Sequence, residues 1–172
     1  MDRESAIQKA KKGDHESFVA LITSMEQSLY RISSSILQND ADCADAIQET
    51  IIKAYSSIDK LREPQFFQTW LIRILINQCN KMINQRKKVM PLIQAENHSI
   101  LTDFTQVEIQ EAIHRLEEPL RLVTVLYYIE DLSVKSIADL LECPEGTVKS
   151  RLSRARSILM KWFQIDTKES SR

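Results

Sequence analysis

The sequence contains very little glycine and proline for its length. Among 172 residues there are two glycines and four prolines. Tight turns between β-strands depend on these residue types, so their scarcity argues against a strand-rich fold. Apolar residues recur instead at helical spacing, as from Phe18 to Ile32. This pattern predicts an all-α protein with long helices and few connections.

The sequence also lacks the marks of a disulfide framework, a metal site or a membrane span. Cys43, Cys79 and Cys143 are far apart and have no CxxC spacing, which predicts neither disulfides nor a zinc site. No apolar run approaches the roughly 20 residues of a membrane helix, and the charged N-terminus has no signal core. We therefore expect a cytoplasmic protein that needs no cofactor.

An excess of either charge is missing as well. The formal net charge is −1, which excludes a globally basic nucleic-acid binder. The charges are segregated, however. Residues 73–88 and 147–161 each hold five basic residues and no acid, whereas residues 39–52 hold four acids and no base. These runs indicate two contacts with polyanions and one with a basic partner, unless they are only solvated helix faces.

Helical periodicity predicts two small helical domains joined by a flexible linker. In residues 1–88, Asn39 is placed to cap the acidic helix and Pro64 to open a later one. Residues 89–106 have no clear period and predict the linker. Residues 107–172 predict the second domain.

The second domain has the pattern of a helix-turn-helix unit. Pro119 opens a helix whose apolar positions are Leu120, Val123, Leu126, Tyr127 and Ile129. Ser133 caps the next helix, and residues 142–144 break the chain before a last helix at about 145–162. Two short helices around a tight turn are typical of duplex DNA binding.

The last helix carries a polar face opposite its apolar stripe. At 100° per residue, Val148, Leu152 and Ala155 fall on the buried side. The exposed and flanking positions are Lys149, Ser150, Arg151, Ser153, Arg154 and Arg156. Serine permits close approach to a major groove, arginine can bind guanine bidentately, and lysine can hold phosphate. A basic surface helix without a ligand is the alternative.

The first basic run predicts a helix that binds single-stranded nucleic acid. Its polar side carries Trp70, Arg73, Asn77, Asn80, Lys81, Asn84 and Lys88. Aromatic side chains stack on unpaired bases, amides bond base edges, and cations follow the backbone. Phe66 and Phe67 precede this side. They could add stacking surface or pack in the core, and for Phe67 the two interpretations are equal.

The acidic run predicts a docking surface for a protein partner. Asp42, Asp45, Gln48 and Glu49 share a polar helix face, with Lys53 just beyond it. Paired carboxylates could serve acid–base chemistry, but no nucleophile, histidine cluster or glycine-rich loop accompanies them. We therefore expect no enzymatic activity and a partner of complementary charge.

In this order, the segments resemble the extracytoplasmic-function (ECF) group of bacterial RNA polymerase sigma factors. Residues 42–55 resemble the family's core-polymerase-binding segment, and residues 67–77 resemble its promoter-melting and −10 recognition segment. Residues 126–133 and 146–156 resemble its −35 recognition domain. The resemblance covers nearly the whole chain and implies a region 2 type helical bundle followed by a region 4 type helix-turn-helix domain.

The resemblance also implies partners and site residues. The clamp helices of the polymerase largest subunit would bind Asp42, Asp45, Gln48, Glu49 and Lys53. The −10 single strand would be recognised by Phe67, Trp70, Arg73, Asn77, Lys81 and Asn84. The −35 duplex would be recognised by Lys149, Ser150, Arg151, Ser153, Arg154 and Arg156. The chain would have no catalytic residue, metal or small-molecule substrate. Its role would be in stress-response transcription, under the control of a membrane-anchored anti-sigma factor.

Two residues depart from the family pattern. Glu142 occupies a turn position where the family often has glycine. A left-handed conformation there strains glutamate, so the turn is expected to be shaped differently. Lys81 replaces an acid that is common after the Asn77 motif, so the −10 preference is expected to differ.

Two alternatives come from other functional classes. A free-standing helix-turn-helix regulator would bind duplex DNA unaided, but it needs neither the 42–55 nor the 67–77 segment. A helical hydrolase or metal protein would need clustered ligands, and the three histidines share no ligand spacing with the cysteines.

Overall fold

The computed structural model describes residues 3–89 and 104–169, with side chains over 3–86 and 109–162. Within these ranges all regular structure is helical, so the all-α prediction is confirmed. The chain divides into two compact units, Met1–Asn97 and His98–Arg172. Most of the predicted linker, residues 89–106, lies outside the described part of the chain.

The described part of the first unit, residues 3–89, contains four α-helices: α1 (Arg3–Lys11), α2 (His15–Leu37), α3 (Asp40–Ser57) and α4 (Phe67–Val89). Local chemistry explains their ends. Gly13, at φ +93°, turns the chain after α1, and the Asp14 carboxylate caps α2 by accepting from the Ser17 N–H. The predicted cap of α3 is confirmed, because the Asn39 side chain accepts from the Asp42 N–H at 3.0 Å.

Between α3 and α4 the chain makes two 3₁₀ turns, Ile58–Lys60 and Pro64–Phe66. Pro64 stands at the start of the second turn, where its missing N–H costs no hydrogen bond. The Lys11 ammonium donates to the Leu61 carbonyl at 2.5 Å and ties the end of α1 to this connection. The beginning of α4 is therefore held by contacts outside its own helix.

The core of the first unit is built around α4. Its side chains at Phe67, Leu71, Ile72, Leu75 and Cys79 are fully buried. They pack with apolar residues from α2 and α3, among them Leu29, Ile32, Cys43, Ala46 and Ala54. Only one broad side of α4 takes part, and this leaves its polar side for other contacts.

The second unit contains α5 (Phe104–Arg115), α6 (Glu118–Thr124), α7 (Val134–Leu141) and α8 (Glu145–Glu169). One of its core clusters joins Leu116, Leu120 and Ala155, with Ile158, Leu159 and Trp162 packed against it. The Arg121 side chain is buried and donates to the carbonyls of His114 and Leu116 at 3.0 and 2.6 Å. These bonds fix the end of α5 to α6, because they satisfy carbonyls that a helix end leaves unpaired.

The α6 helix continues into a π-helical turn, Val125–Ile129. The Glu130 N–H bonds the Val125 carbonyl at 3.0 Å, five residues back. A π turn takes one extra residue, so the side chains that follow shift around the helix axis. Tyr127 and Ile129 were expected on the apolar stripe. They are exposed instead, and that expectation was wrong.

The helix-turn-helix arrangement forms as predicted. The Ser133 hydroxyl accepts from the Ser136 N–H at 3.1 Å and caps α7. Glu142 ends α7 in the left-handed conformation, at φ 51° and ψ 44°. The expectation of a differently shaped turn was wrong, because glutamate takes up the left-handed backbone that glycine favours, and α8 starts three residues later.

Candidate polymerase and nucleic-acid interfaces

The exposed side of α3 carries the predicted acidic docking residues. Asp45, Gln48, Glu49 and Lys53 are all exposed. The α3 helix is amphipathic, and the opposite side, including Cys43, Ala46 and Ala54, faces the core. These four side chains therefore share one accessible surface that can meet a partner of complementary charge.

Asp42 does not belong to that surface. Its residue is only 5% exposed, and its carboxylate is ion-paired and hydrogen-bonded to the Arg86 guanidinium at the far end of α4. The prediction that Asp42 shares the exposed acidic face was wrong. The reason is a partner 44 positions away, which the spacing within α3 cannot reveal.

Two apolar side chains extend the acidic surface. Ile52 is 62% exposed and lies on the same helix within one turn of Gln48 and Glu49. Tyr55 is also exposed, and its hydroxyl is 2.6 Å from His15 Nδ1 while its ring packs edge-on against Phe18. Ile52 was not among the predicted site residues, although at 100° per residue it falls between Gln48 and Glu49 on the polar side of the helix.

The predicted polar side of α4 is accessible. Arg73, Asn77, Lys81 and Asn84 are exposed, and Trp70 is partly exposed beside them. Advancing 100° per residue, these positions fall within one arc of the helix. Amide donors and acceptors thus alternate with cations along a single accessible strip of the first unit.

Phe67 does not take part in that face. Its ring is completely buried, lies 6.0 Å from the Trp70 ring and has the Arg3 guanidinium 5.8 Å from its centroid. The core interpretation of Phe67 is therefore correct and the stacking interpretation is wrong. Its neighbour Phe66 is 54% exposed, and it presents aromatic surface immediately before α4.

The predicted polar face of α8 is also largely exposed. Lys149, Ser150, Ser153, Arg154 and Arg156 are exposed, whereas Val148, Leu152 and Ala155 are buried. Arg151 is partly buried on one flank. Two of the polar groups have local partners, since Lys149 pairs with Glu145 at 3.7 Å and the Ser150 hydroxyl bonds the Thr147 carbonyl. Arg154 projects from the middle of this face.

Arg156 has a partner from another element. Its guanidinium donates to the hydroxyl of Tyr128, in the π turn, at 3.1 Å. This bond raises the pKa of Arg156 above its ordinary value. Tyr128 was not among the predicted site residues, because helical spacing in this segment presupposes an uninterrupted α-helix.

The described residues contain no group of three or more potential metal ligands. Cys43 and Cys79 are buried thiols, and burial raises the pKa of Cys79 to about 12. A thiol with so high a pKa is unreactive near neutral pH. In the part of the chain that the structure describes, no helix is long and apolar enough to cross a membrane.

Comparison with known proteins assigns a family to each unit. Residues 21–89 match the family Sigma-70 region 2, and residues 106–159 match the family Sigma-70, region 4. The ECF RNA polymerase sigma factor SigW of Bacillus subtilis is 31% identical over 174 residues, which cover 90% of this chain and 93% of SigW. The ECF RNA polymerase sigma-E factor of Haemophilus influenzae is 29% identical over 175 residues, 91% of this chain and 92% of that protein.

Two solved structures share the fold. The sigma factor RpoE of Bartonella quintana, co-crystallised with the anti-sigma factor NepR, gives a TM-score of 0.73 at 22% identity and covers 88% of this chain and 99% of RpoE. The structure of CnrH in complex with the cytosolic domain of CnrY gives a TM-score of 0.69 at 21% identity, and the match covers 95% of this chain and 98% of the solved chain.

Proposed function

Because the chain belongs to the ECF RNA polymerase sigma factor family, and is an alternative sigma factor that directs promoter-specific transcription initiation, we propose that its two units divide promoter recognition between them. The family membership confirms the resemblance found in the sequence, including the region 2 and region 4 domains. The observation that carries the proposal is the pair of exposed polar helix faces, one on α4 and one on α8.

We propose that α3 docks on the core polymerase through Asp45, Gln48, Glu49 and Lys53. These side chains are exposed and adjacent, and Ile52 supplies apolar area between them. Interfaces gain affinity from apolar contacts at the centre and specificity from charges around it. The clamp helices of the largest subunit are the proposed partner, and Asp42 is left out of the contact set because it is buried.

The α4 face is proposed to hold the unpaired −10 strand. Asn77 and Asn84 can bond base edges, Arg73 and Lys81 can follow phosphates, and Trp70 offers a partly exposed ring. Phe66 adds a second exposed ring at the start of the helix. Stacking and amide contacts suit bases that have left the duplex.

The α8 face is proposed to enter the major groove of the −35 element. Ser150 and Ser153 are small enough to let the helix approach the bases, and Arg154 can reach a guanine. Lys149, Arg151 and Arg156 lie on the flanks, where phosphates pass. The capped α7 and the left-handed turn at Glu142 support α8 in the helix-turn-helix manner.

Regulation and location complete the proposal. Both solved relatives were determined as complexes, one of them with a protein named as an anti-sigma factor. We propose that a membrane-anchored anti-sigma factor holds this chain inactive. The polymerase supplies the chemistry, so the chain itself is proposed to carry no catalytic residue. It would act in the cytoplasm, on stress-response genes.

The test is run-off transcription by purified bacterial core polymerase on a library of promoter fragments, with and without the chain. We expect transcripts that require the chain and share −35 and −10 motifs. Glu49→Lys is expected to lose them by weakening polymerase binding, with helicity and unfolding unchanged. No dependent transcript, together with tight binding of the chain alone to duplex DNA, would indicate a free-standing regulator instead.

A further inference from the structure

The π turn of the second unit displays aromatic side chains that a small helical domain would normally bury. Tyr128 is 51% exposed, while Val125 and Leu126 in the same turn are buried. The Tyr127 ring meets the Tyr128 ring edge-on, with centroids 4.9 Å apart. The turn therefore keeps Val125 and Leu126 in the core and holds the Tyr128 ring in a defined orientation at the surface.

The Tyr128 hydroxyl reaches α8 from the side. It accepts a hydrogen bond from the Arg156 guanidinium at 3.1 Å, across 28 positions of sequence. Within the described residues no carboxylate is paired with Arg156. The partner is a neutral phenol, so it orients the guanidinium without cancelling its charge. The remaining N–H donors of Arg156 stay available, because a guanidinium has five.

We propose that Tyr128 is a positioning residue that holds Arg156 against the DNA backbone on one flank of the −35 helix. The inference rests on the proposed function, because it assumes that α8 contacts the −35 duplex. A free arginine side chain has many rotamers, and ordering it on binding costs conformational entropy. A tyrosine has only two side-chain torsions, so it can fix the guanidinium before the DNA arrives.

The flank position decides which part of the DNA Arg156 meets. Arg156 lies beside Lys149 at one edge of the exposed face, whereas Arg154 lies nearer its centre. A guanidinium held from the side by a neighbouring element cannot extend freely into the groove. A phosphate contact fits this geometry, and such contacts set the register of the protein on the duplex without reading sequence.

The test measures binding of the polymerase holoenzyme to a promoter selected in the run-off experiment. Four forms of the chain are compared: unchanged, Tyr128→Phe, Arg156→Ala and the double variant. Tyr128→Phe is expected to weaken binding about threefold to tenfold, because the Arg156 side chain then loses its rotamer freedom only when the DNA binds. Arg156→Ala should weaken it at least as much and reduce the slope of log affinity against log salt by about one. The double variant should bind no worse than Arg156→Ala.

Tyr127→Phe is the matched control, since it removes a hydroxyl from the same turn and keeps the ring pair. Its binding should be unchanged. Equal weakening by Tyr128→Phe in the presence and absence of Arg156 would overturn the inference and show that the phenol contacts DNA directly. Normal binding by Tyr128→Phe, with Arg156→Ala impaired, would overturn the inference alone. Normal binding by Arg156→Ala would overturn both the inference and the assigned −35 role of Arg156.

Discussion

The two basic helices α4 and α8 look alike in sequence but differ in what their exposed sides can bind. The α4 side combines amides and cations with exposed or partly exposed aromatic rings at Phe66 and Trp70. The α8 side combines small hydroxyls with guanidinium groups and has no aromatic residue between Lys149 and Ser157. Rings suit unpaired bases, and a smooth face of small residues suits a groove. Under the proposed function, a similar number of cations would therefore serve two different DNA states.

Two arginines show why counting charges is not enough. Arg86, in the first basic run, is paired with the buried carboxylate of Asp42. Arg156, in the second, is bonded to a neutral hydroxyl. The first guanidinium is largely neutralised by its own unit, while the second keeps its charge for a polyanion. In the proposed contact of α4 with DNA, Arg86 would consequently contribute less than its charge in the sequence suggests.

The largest expected effect tests whether the aromatic pair before α4 is divided between core and surface. Phe67→Ala should lower the free energy of unfolding of the first unit by about 3–5 kcal/mol, because it removes a fully buried ring. Urea unfolding of the full chain in a Trp162→Phe background, followed by Trp70 fluorescence, measures this. Phe66→Ala, at an exposed ring, should cost less than about 0.5 kcal/mol. Similar losses for the two variants would show that the ring at 67 is not the core residue.

The next prediction concerns the reading of bases by α8, which the proposed function assigns to Arg154 rather than to the flanking cations. Arg154→Ala should reduce discrimination at one −35 position by about 1–3 kcal/mol, the range for a lost bidentate base contact. Transcription from promoters carrying each of the four bases at every −35 position measures the change. A uniform loss on all sequences would make Arg154 a phosphate contact and would remove the distinction drawn here between the centre and the flank of α8.

The third prediction tests the neutralised arginine. Arg86→Ala should destabilise the first unit by about 1–2 kcal/mol, since it leaves the buried Asp42 carboxylate without its charged partner. The effect is limited because the arginine end of the pair is solvent-exposed. Unfolding followed by Trp70 fluorescence measures this loss of stability. Lys81→Ala on the same helix is the control, and it should change the free energy of unfolding by less than about 0.5 kcal/mol. If the Arg86→Ala variant is as stable as the unchanged chain, Asp42 does not depend on Arg86, and Arg86 counts among the cations available for DNA.

Local features of the fold were predictable from sequence, and long-range ones were not. The caps at Asn39 and Ser133 follow from side chains that bond N–H groups three residues on, so a short window contains all the information. The turn at Glu142 was expected to be shaped differently, but the glutamate adopts the left-handed conformation all the same. Asp42 was misplaced because its partner is on another helix. Phe67 lies at the margin of the apolar arc of α4, where helical spacing alone does not decide burial. The π turn at Val125–Ile129 has no residue signature, and Tyr128 was missed with it.

The smallest expected effect on stability comes from substitutions at two left-handed helix ends, Gln38 in the first unit and Glu142 in the second. Gln38 ends α2 at φ 53° and Glu142 ends α7 at φ 51°. A left-handed conformation costs a residue with a side chain about 1–2 kcal/mol. Substitution by glycine removes this strain, but part of the gain in stability is lost because glycine has more conformational freedom in the unfolded chain. Glu142→Gly should therefore stabilise the second unit by about 0.5–1 kcal/mol.

Charge distinguishes these two helix ends. Glu142 places an anion at a helix C-terminus, where the macrodipole disfavours it, whereas Gln38 is neutral. Glu142→Gln should thus recover a few tenths of a kcal/mol, and Gln38→Gly should stabilise its unit less than Glu142→Gly stabilises the other. Thermal unfolding followed by Trp162 fluorescence in a Trp70→Phe background measures the second unit, and Trp70 in a Trp162→Phe background measures the first. A loss of stability in Glu142→Gly would mean that the glutamate side chain contributes more to the turn than its backbone conformation costs.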